Sequence, residues 1–244
     1  MLRMLVIVAA VFIFIAGSAE TRSIPSEPPV QTETKNVLPK HEHKADCEQT
    51  AAEPVQIICI LDRSGSMESL AEDTIGGYNS FLAKQKENPS AAEVTTVLFD
   101  NEYELIAEAV NLQEIEDLTS ETYYARGTTA LLDALGMTIT GTLGRFEKEN
   151  ICPEKRRVLV MIMTDGLENA SHEYSKATVK SLIEETTNKY HWNYIFMGAN
   201  MDSVSEAAQI GIPARRAMNF SADKRGVADT FERMSEAADE ARAQ

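Results

Sequence analysis

The chain has 244 residues, 43% of them hydrophobic, and a formal net charge of −15. That suffices for one α/β domain with tails and a full core. The acidic balance argues against nucleic acid and anionic membrane surfaces, which select basic proteins, and suits solubility, divalent cations or basic partners. The cysteines, Cys47, Cys59 and Cys152, form no Cys-x-x-Cys pair and no Cys/His cluster. Structural zinc is therefore not indicated.

Residues 1–19 read as a secretory signal peptide. Arg3 gives a positive start, Met4 to Ala16 is an unbroken apolar run, and Gly17-Ser18-Ala19 offers small residues for cleavage. The run is shorter than the roughly 20 residues a spanning helix needs. Export to a periplasm or the outside is the expectation, with a membrane anchor over residues 4–16 as the alternative. Residues 20–53 form a linker. Pro25, Pro28, Pro29 and Pro39 stand among Ser, Thr, Glu and Lys, with no apolar period to offset ordering. His41 and His43 flank Glu42 there, which reads as a solvated tail.

Val55 to Leu61 is apolar, rich in β-branched residues and too short for an independent helix. It reads as a strand buried on both faces, with Cys59 as a small buried hydrophobe. The run then breaks into Asp62, Ser64, Gly65 and Ser66. In a parallel sheet the loop leaving a strand's carboxyl end is where ligands bind. Oxygen side chains at alternate positions of one tight turn can converge on a point. Magnesium takes an octahedron of oxygens at about 2.0–2.1 Å, so this turn is a candidate site for a hard cation.

Glu68 to Glu87 reads as a helix with Leu70, Ile75, Tyr78, Phe81 and Leu82 on one face. Gly76-Gly77 marks either a kink or close packing, and Asn88-Pro89 ends the helix. Val94–Asp100 and Tyr103–Val110 are expected to form an antiparallel hairpin, with Glu104 and Glu108 placing the second strand at an edge. Asn111 to Leu118 is expected to be a short helix. Tyr124 to Asp133 leads into a helix from Ala130 to Lys148, whose inner face carries Leu131, Leu135, Ile139, Leu143 and Phe146. Thr128 and Thr129 can cap this helix. Arg157 to Thr164 is a second buried strand, ending at Asp165-Gly166. Then follow a helix over Ser175–Tyr190, a strand over Trp192–Gly198, a short helix over Ser203–Ile210, a short strand over Arg216–Phe220 and a terminal helix over Val227–Arg242.

This alternation implies right-handed crossovers and a doubly wound α/β sheet, mostly parallel, with one antiparallel edge strand and helices on both faces. Asp62-x-Ser64-x-Ser66, Thr128-Thr129 and Asp165 then all lie at one rim of the sheet.

Asp62-Arg63-Ser64-Gly65-Ser66, Gly127-Thr128-Thr129 before a helix, and Thr164-Asp165-Gly166 after a strand together resemble the von Willebrand factor type A domain. The resemblance starts near residue 54, extends at least to Asp202, and assigns 54–244 to that Rossmann-like domain. Phe99-Asp100, Thr164 to Ser171 and Phe196 to Asn200 look like a compact, mostly bacterial branch. The resemblance implies a metal-ion-dependent adhesion site (MIDAS). Ser64 and Ser66 would ligate the ion directly, and Asp62 and Asp165 directly or through water. Thr129, four residues before Asp133, matches the family's threonine better than Thr128 does. The implied ion is Mg2+, with Mn2+ or Ca2+ as alternatives. The implied partner is a protein that places an Asp or Glu carboxylate on the metal. Arg63 and Met67 would flank the site, facing either the partner or solvent. Asn169, Ser171 and His172 either line the rim or cap the loop. The family also places the Val55 and Arg157 strands side by side, which implies a Cys47–Cys152 disulfide in an oxidising compartment.

The residues favour a binding module over an enzyme. An aspartyl-phosphate enzyme would use Asp62 as nucleophile, but the position two residues on, where many carry a second carboxylate, is Ser64. There is no phosphate-binding Gly-x-x-x-x-Gly-Lys loop and no Gly-x-Ser-x-Gly elbow. The alternatives are a scaffold whose metal site is non-essential and a Mg2+-dependent hydrolase or phosphotransferase.

Overall fold

A computed structural model describes residues 53–243. The expected signal peptide, almost all of the linker and Cys47 lie outside the described residues. Six strands form one sheet: β1 (Val55–Asp62), β2 (Ala92–Phe99), β3 (Tyr103–Asn111), β4 (Val158–Thr164), β5 (Asn193–Gly198) and β6 (Ala217–Asn219). Their order is β3-β2-β1-β4-β5-β6. Only β3 runs antiparallel, paired with β2. The helices are α1 (Ala71–Lys86), α2 (Leu131–Glu149), α3 (Lys176–Tyr190), α4 (Ser203–Gln209) and α5 (Lys224–Ala243).

Every residue of β1 and β4 is buried, as expected of central parallel strands covered on both faces. Their side chains sort by parity. Ile57, Cys59 and Leu61 join one core with Tyr78, Phe81, Leu82 and Phe231 from α1 and α5. Ile58 and Ile60 join the other, with residues of α2, α3 and α4. The expected apolar face of α2 is buried in full. Cys59 is a buried free thiol, and burial pushes its pKa up to about 12.

Two local expectations need correction, and one open alternative is decided. Residues 111–118 form turns rather than a helix. The Asn111 carbonyl accepts the amides of Glu114 and Ile115, and the Asn111 side chain takes the Gln113 amide. The Leu112 and Leu118 amides go instead to the Ala92 carbonyl and the Asn79 side chain, so the segment pairs with its neighbours rather than completing a helix. The first helical stretch begins as a 3-10 turn over Gly65–Leu70 and becomes α only at Ala71. α1 continues through Gly76-Gly77 without a break, and close packing falls at Gly77 alone. A Cβ on Gly77 would lie 2.2 Å from the Phe231 ring of α5, whereas one on Gly76 would meet nothing within 4 Å.

Arg242 of α5 fastens the far end of this helix pair. Its buried guanidinium donates to the carbonyls of Gln85 and Asn88, each at 2.8 Å, and to that of Ser90. One side chain thus satisfies carbonyls at and beyond the open end of α1.

Gly77→Ala should destabilise the fold by about 1–3 kcal/mol through overpacking against Phe231. Gly76→Ala should stabilise it by roughly 0.5–1 kcal/mol through helix propensity. Denaturant unfolding of both variants checks the contrast; equal effects would mean α1 and α5 are not in contact at Gly77.

Candidate metal centre

β1 pairs with β2 on one side and β4 on the other, so the crossover after β1 and the crossover into β4 place their strands on opposite sides of it. Such a switch point opens a crevice beyond the carboxyl ends of the two strands. Asp62 ends β1 and Thr164 ends β4, with Asp165 next. The register aligns Leu61 with Met163. It therefore sets Asp62 beside Thr164, whose hydroxyl donates to Asp62 Oδ2 at 2.6 Å. The other carboxylate oxygen, Oδ1, accepts the Ser64 amide at 2.6 Å. The Tyr123 hydroxyl donates to the Asp62 carbonyl at 2.5 Å.

The loops then converge. Ser64 Oγ lies 3.1 Å from Ser66 Oγ, which donates to Asp165 Oδ1 at 2.5 Å. The Gly65 amide reaches the Gly127 carbonyl at 3.2 Å, and the Arg126 amide reaches the Arg63 carbonyl at 2.8 Å. Gly127 has φ +66°, and a Cβ there would sit 1.9 Å from Asn101 Oδ1. Only glycine meets both conditions. A Cβ on Gly166 would lie 3.2 Å from Thr129 Oγ1 and 3.7 Å from Ser66 Oγ. Gly166 therefore leaves open the space that these hydroxyls border.

Asp62, Ser64, Ser66, Thr129 and Asp165 are thus gathered at one rim. Thr129 is buried and Thr128 exposed, which favours Thr129 as the inward threonine. Neither caps α2: the N-cap is Ala130, with no side-chain cap bond. Arg63 and Met67 differ from both expectations for them, since each is fully buried. Arg63 turns inward because carboxylates await it, Asp100 at 2.9 Å and Glu104 at 2.6 Å. Asn169 and Ser171 cap the loop, accepting the amides of Thr129 and Asp133 at 3.0 Å each. The exposed His172 gives its amide to Asp133.

Burial pushes the Asp62 carboxyl up to about 6, against the pull of the Thr164 and Ser64 hydrogen bonds and with a push from Asp165. Burial also raises Asp165, opposed by the Ser66 hydroxyl. Two crowded, desolvated carboxylates favour a cation between or beside them. The spacing fits as well. Adjacent oxygens of a magnesium octahedron lie about 2.9 Å apart, close to the 3.1 Å between the two serine hydroxyls. Among the described residues no group of three or more His, Cys, Asp or Glu is placed to hold a metal ion. The candidate donors here are instead three hydroxyls and two carboxylates, hard oxygens of the kind magnesium or manganese accepts.

Sequence reasoning missed the residues that brace these donors. Thr164 was legible as the end of a strand and as part of the Thr164-Asp165-Gly166 motif, but not as the partner of Asp62. Asp100 entered only through the Phe99-Asp100 segment, and Tyr123 and Arg126 carried no signal, because the partners of all three lie 26 to 61 positions away.

No family model and no curated protein matches the sequence. Solved structures do match, and they place the fold: it is that of the von Willebrand factor type A domain. Proximal thread matrix protein 1 from the mussel byssus aligns with a TM-score of 0.56 at 14% identity, over 76% of this chain and 48% of that one. A further structure of that protein has a zinc-occupied MIDAS motif. The domain of the type V pili tip protein Mfa5 from Porphyromonas gingivalis gives 0.55 at 9% identity, over 78% of this chain and 96% of that one. A von Willebrand factor type A protein from Catenulispora acidiphila gives 0.50 at 16% identity, covering 75% and 42%. The chain spans about half the length of the mussel protein.

The raised Asp62 carboxyl predicts a pH signature without metal. Its contribution to stability is complete below the unfolded value of 3.8 and is lost as pH rises through about 6. Relative to Asp62→Asn, the wild type should therefore gain up to about 3 kcal/mol as pH falls from 7 to 4. Denaturant melts of both forms in chelator provide the measurement. A difference that stays flat with pH would mean Asp62 ionises as freely in the folded protein as in the unfolded chain.

Proposed function

We propose that the protein is a divalent-metal-dependent binding module, in which Asp62, Ser64, Ser66, Thr129 and Asp165 hold Mg2+ and a partner protein's Asp or Glu carboxylate docks on it. The observation that carries this is the meeting of the hydroxyls of Ser64, Ser66 and Thr129 with two desolvated carboxylates at the β1/β4 switch point. Both oxygens of Asp62 are already committed to the Ser64 amide and the Thr164 hydroxyl. Asp62 is therefore best suited to act through water, leaving Ser64 and Ser66 as direct ligands. Hydroxyls are neutral, so when bound the ion keeps Lewis acidity for an outside carboxylate. Ser66 and Gly65 face solvent, which leaves a route for that group. The reading needs no bond to be made or broken and assigns no catalytic residue.

Calorimetry on the full chain should show one Mg2+ site, weakened about tenfold or more in Ser64→Ala. Near-saturating Mg2+ should raise the melting temperature by roughly 5–10 °C. Absence of both effects would leave the scaffold reading, the fold without a working ion. A magnesium-dependent pull-down from the native source, with Ser64→Ala as control, tests the docking. A partner retained equally by both forms would remove the metal bridge.

Export and a Cys47–Cys152 bridge belong to the same proposal. Among the described residues no helix is long and apolar enough to cross a membrane. Cys152 precedes β4 on the edge opposite the metal rim, and Glu48 to Pro54 gives the chain before β1 ample reach. Alkylation and mass spectrometry of secreted protein should find these two cysteines joined; two alkylated thiols would refute the bridge.

A further inference from the structure

Among the described residues the exposed large hydrophobic side chains are Leu105, Ile106, Tyr124, Leu167 and Val204. The first two lie on edge strand β3 and the last opens α4. Tyr124 and Leu167 are 45% and 55% exposed; Tyr124 lies on the loop whose Tyr123 hydroxyl and Arg126 amide reach the Asp62 and Arg63 carbonyls, and Leu167 comes two residues after Asp165. Leu167 follows Gly166, whose missing Cβ the Thr129 and Ser66 hydroxyls border. Tyr124 lies under the guanidinium of Arg63, the residue before Ser64, at 5.7 Å.

Single exposed apolar residues are ordinary. These two differ in how firmly their surroundings are fixed. Arg126 also lies over the Tyr124 ring, at 5.6 Å. Asp100 Oδ2 receives Arg63 at 2.9 Å and Arg126 at 2.7 Å, and Glu102 takes Arg126 again at 2.7 Å. Burial alone would raise the Asp100 carboxyl, yet hydrogen bonds from Arg126, the Glu102 amide and Arg63 hold it below its ordinary value. The pair of arginines is therefore anchored to a charged group. On the other side, Glu168 accepts the amides of Leu132, Ala170 and Ser171 at 2.8–2.9 Å. The Asn169 amide reaches the Thr129 carbonyl at 3.0 Å. Leu167 thus stands on a loop stapled to the start of α2. Side chains carried on loops fixed in advance cost less loop ordering on binding and make efficient interface anchors.

We infer that Tyr124, on the Ser64 side, and Leu167, on the Gly166 side, are apolar shoulders of the docking site, and that the segment bound there carries its acidic residue next to an apolar one. This rests on the proposed carboxylate docking. The chain's net charge of −15 adds to the selection, since further acidic residues in the segment would be repelled. A lone carboxylate framed by apolar side chains meets both demands.

The test is a library of seven-residue peptides with a central Glu and randomised flanks, selected on the full chain in Mg2+ and again in chelator. Peptides retained only with Mg2+ should be enriched in Leu, Ile, Val or Phe beside the Glu. Leu167→Ser should keep its calorimetric Mg2+ affinity, bind such a peptide about tenfold more weakly and lose the apolar preference on one side. Tyr124→Ser should lose it on the other, and Tyr124→Phe should retain it. Mg2+-dependent peptides with polar and apolar flanks in equal measure would overturn the inference while leaving carboxylate docking intact. So would an apolar preference unchanged in both serine variants. Failure of wild type to retain any acidic peptide, although Mg2+ binds, would overturn both.

Discussion

The carboxylate of Asp62 is fully buried at the end of a central strand, and everything at the rim is arranged around it. Its two oxygens take a main-chain amide from its own loop and a hydroxyl from the neighbouring strand. A buried carboxylate without such partners would be costly, because its charge loses water and gains nothing. With them it pins the turn that carries Ser64 and Ser66 and joins it to the end of β4, where Asp165 begins. The two halves of the doubly wound sheet are thus stitched at the point where they diverge.

A second layer of charge holds the third loop in place. Asp100, at the end of β2, binds Arg63 from the first loop and Arg126 from the loop before α2. Its carbonyl also accepts the Ala130 amide at 2.7 Å. The segment carrying Thr129 is therefore tied to the end of β2 and, through Arg63, to the loop that carries the serines. Gly65 and Gly127 make that approach possible, one giving its amide to the other's carbonyl. Loops are usually the least determined parts of a fold. Here each is fixed by groups belonging to its neighbours, as a site for a rigidly coordinated ion requires.

The helical layers contribute indirectly. The opening left by Gly77 lets α5 lie close on α1, and Arg242 ties the far end of the pair. β1 is thereby covered on one face by α1 and α5 and on the other by α2 and its neighbours. Burial from both sides is what desolvates the strand end and raises the Asp62 carboxyl. The acidity of the proposed metal site is in this sense a property of the core packing as much as of the ligands.

Periodicity and strand-end chemistry in the sequence determined the class of fold, the central strands and the three loops that carry the candidate donors, while the choice of Thr129 over Thr128 came with the family resemblance. Buried parallel strands must be apolar along their length, and donors beyond their ends must be polar, so both leave one-dimensional marks. Tertiary structure alone decided which way the flanking residues face. Arg63 and Met67 read as surface from their place beside the donors, yet both are buried, because carboxylates from β2 and β3 and the core beneath α1 receive them. Residues 112–118 carry helix-compatible side chains but divide their backbone bonds between a local turn and partners on β2 and α1. Thr164, Asp100, Tyr123 and Arg126 act through partners far along the chain, and such pairings exist only once the sheet has assembled.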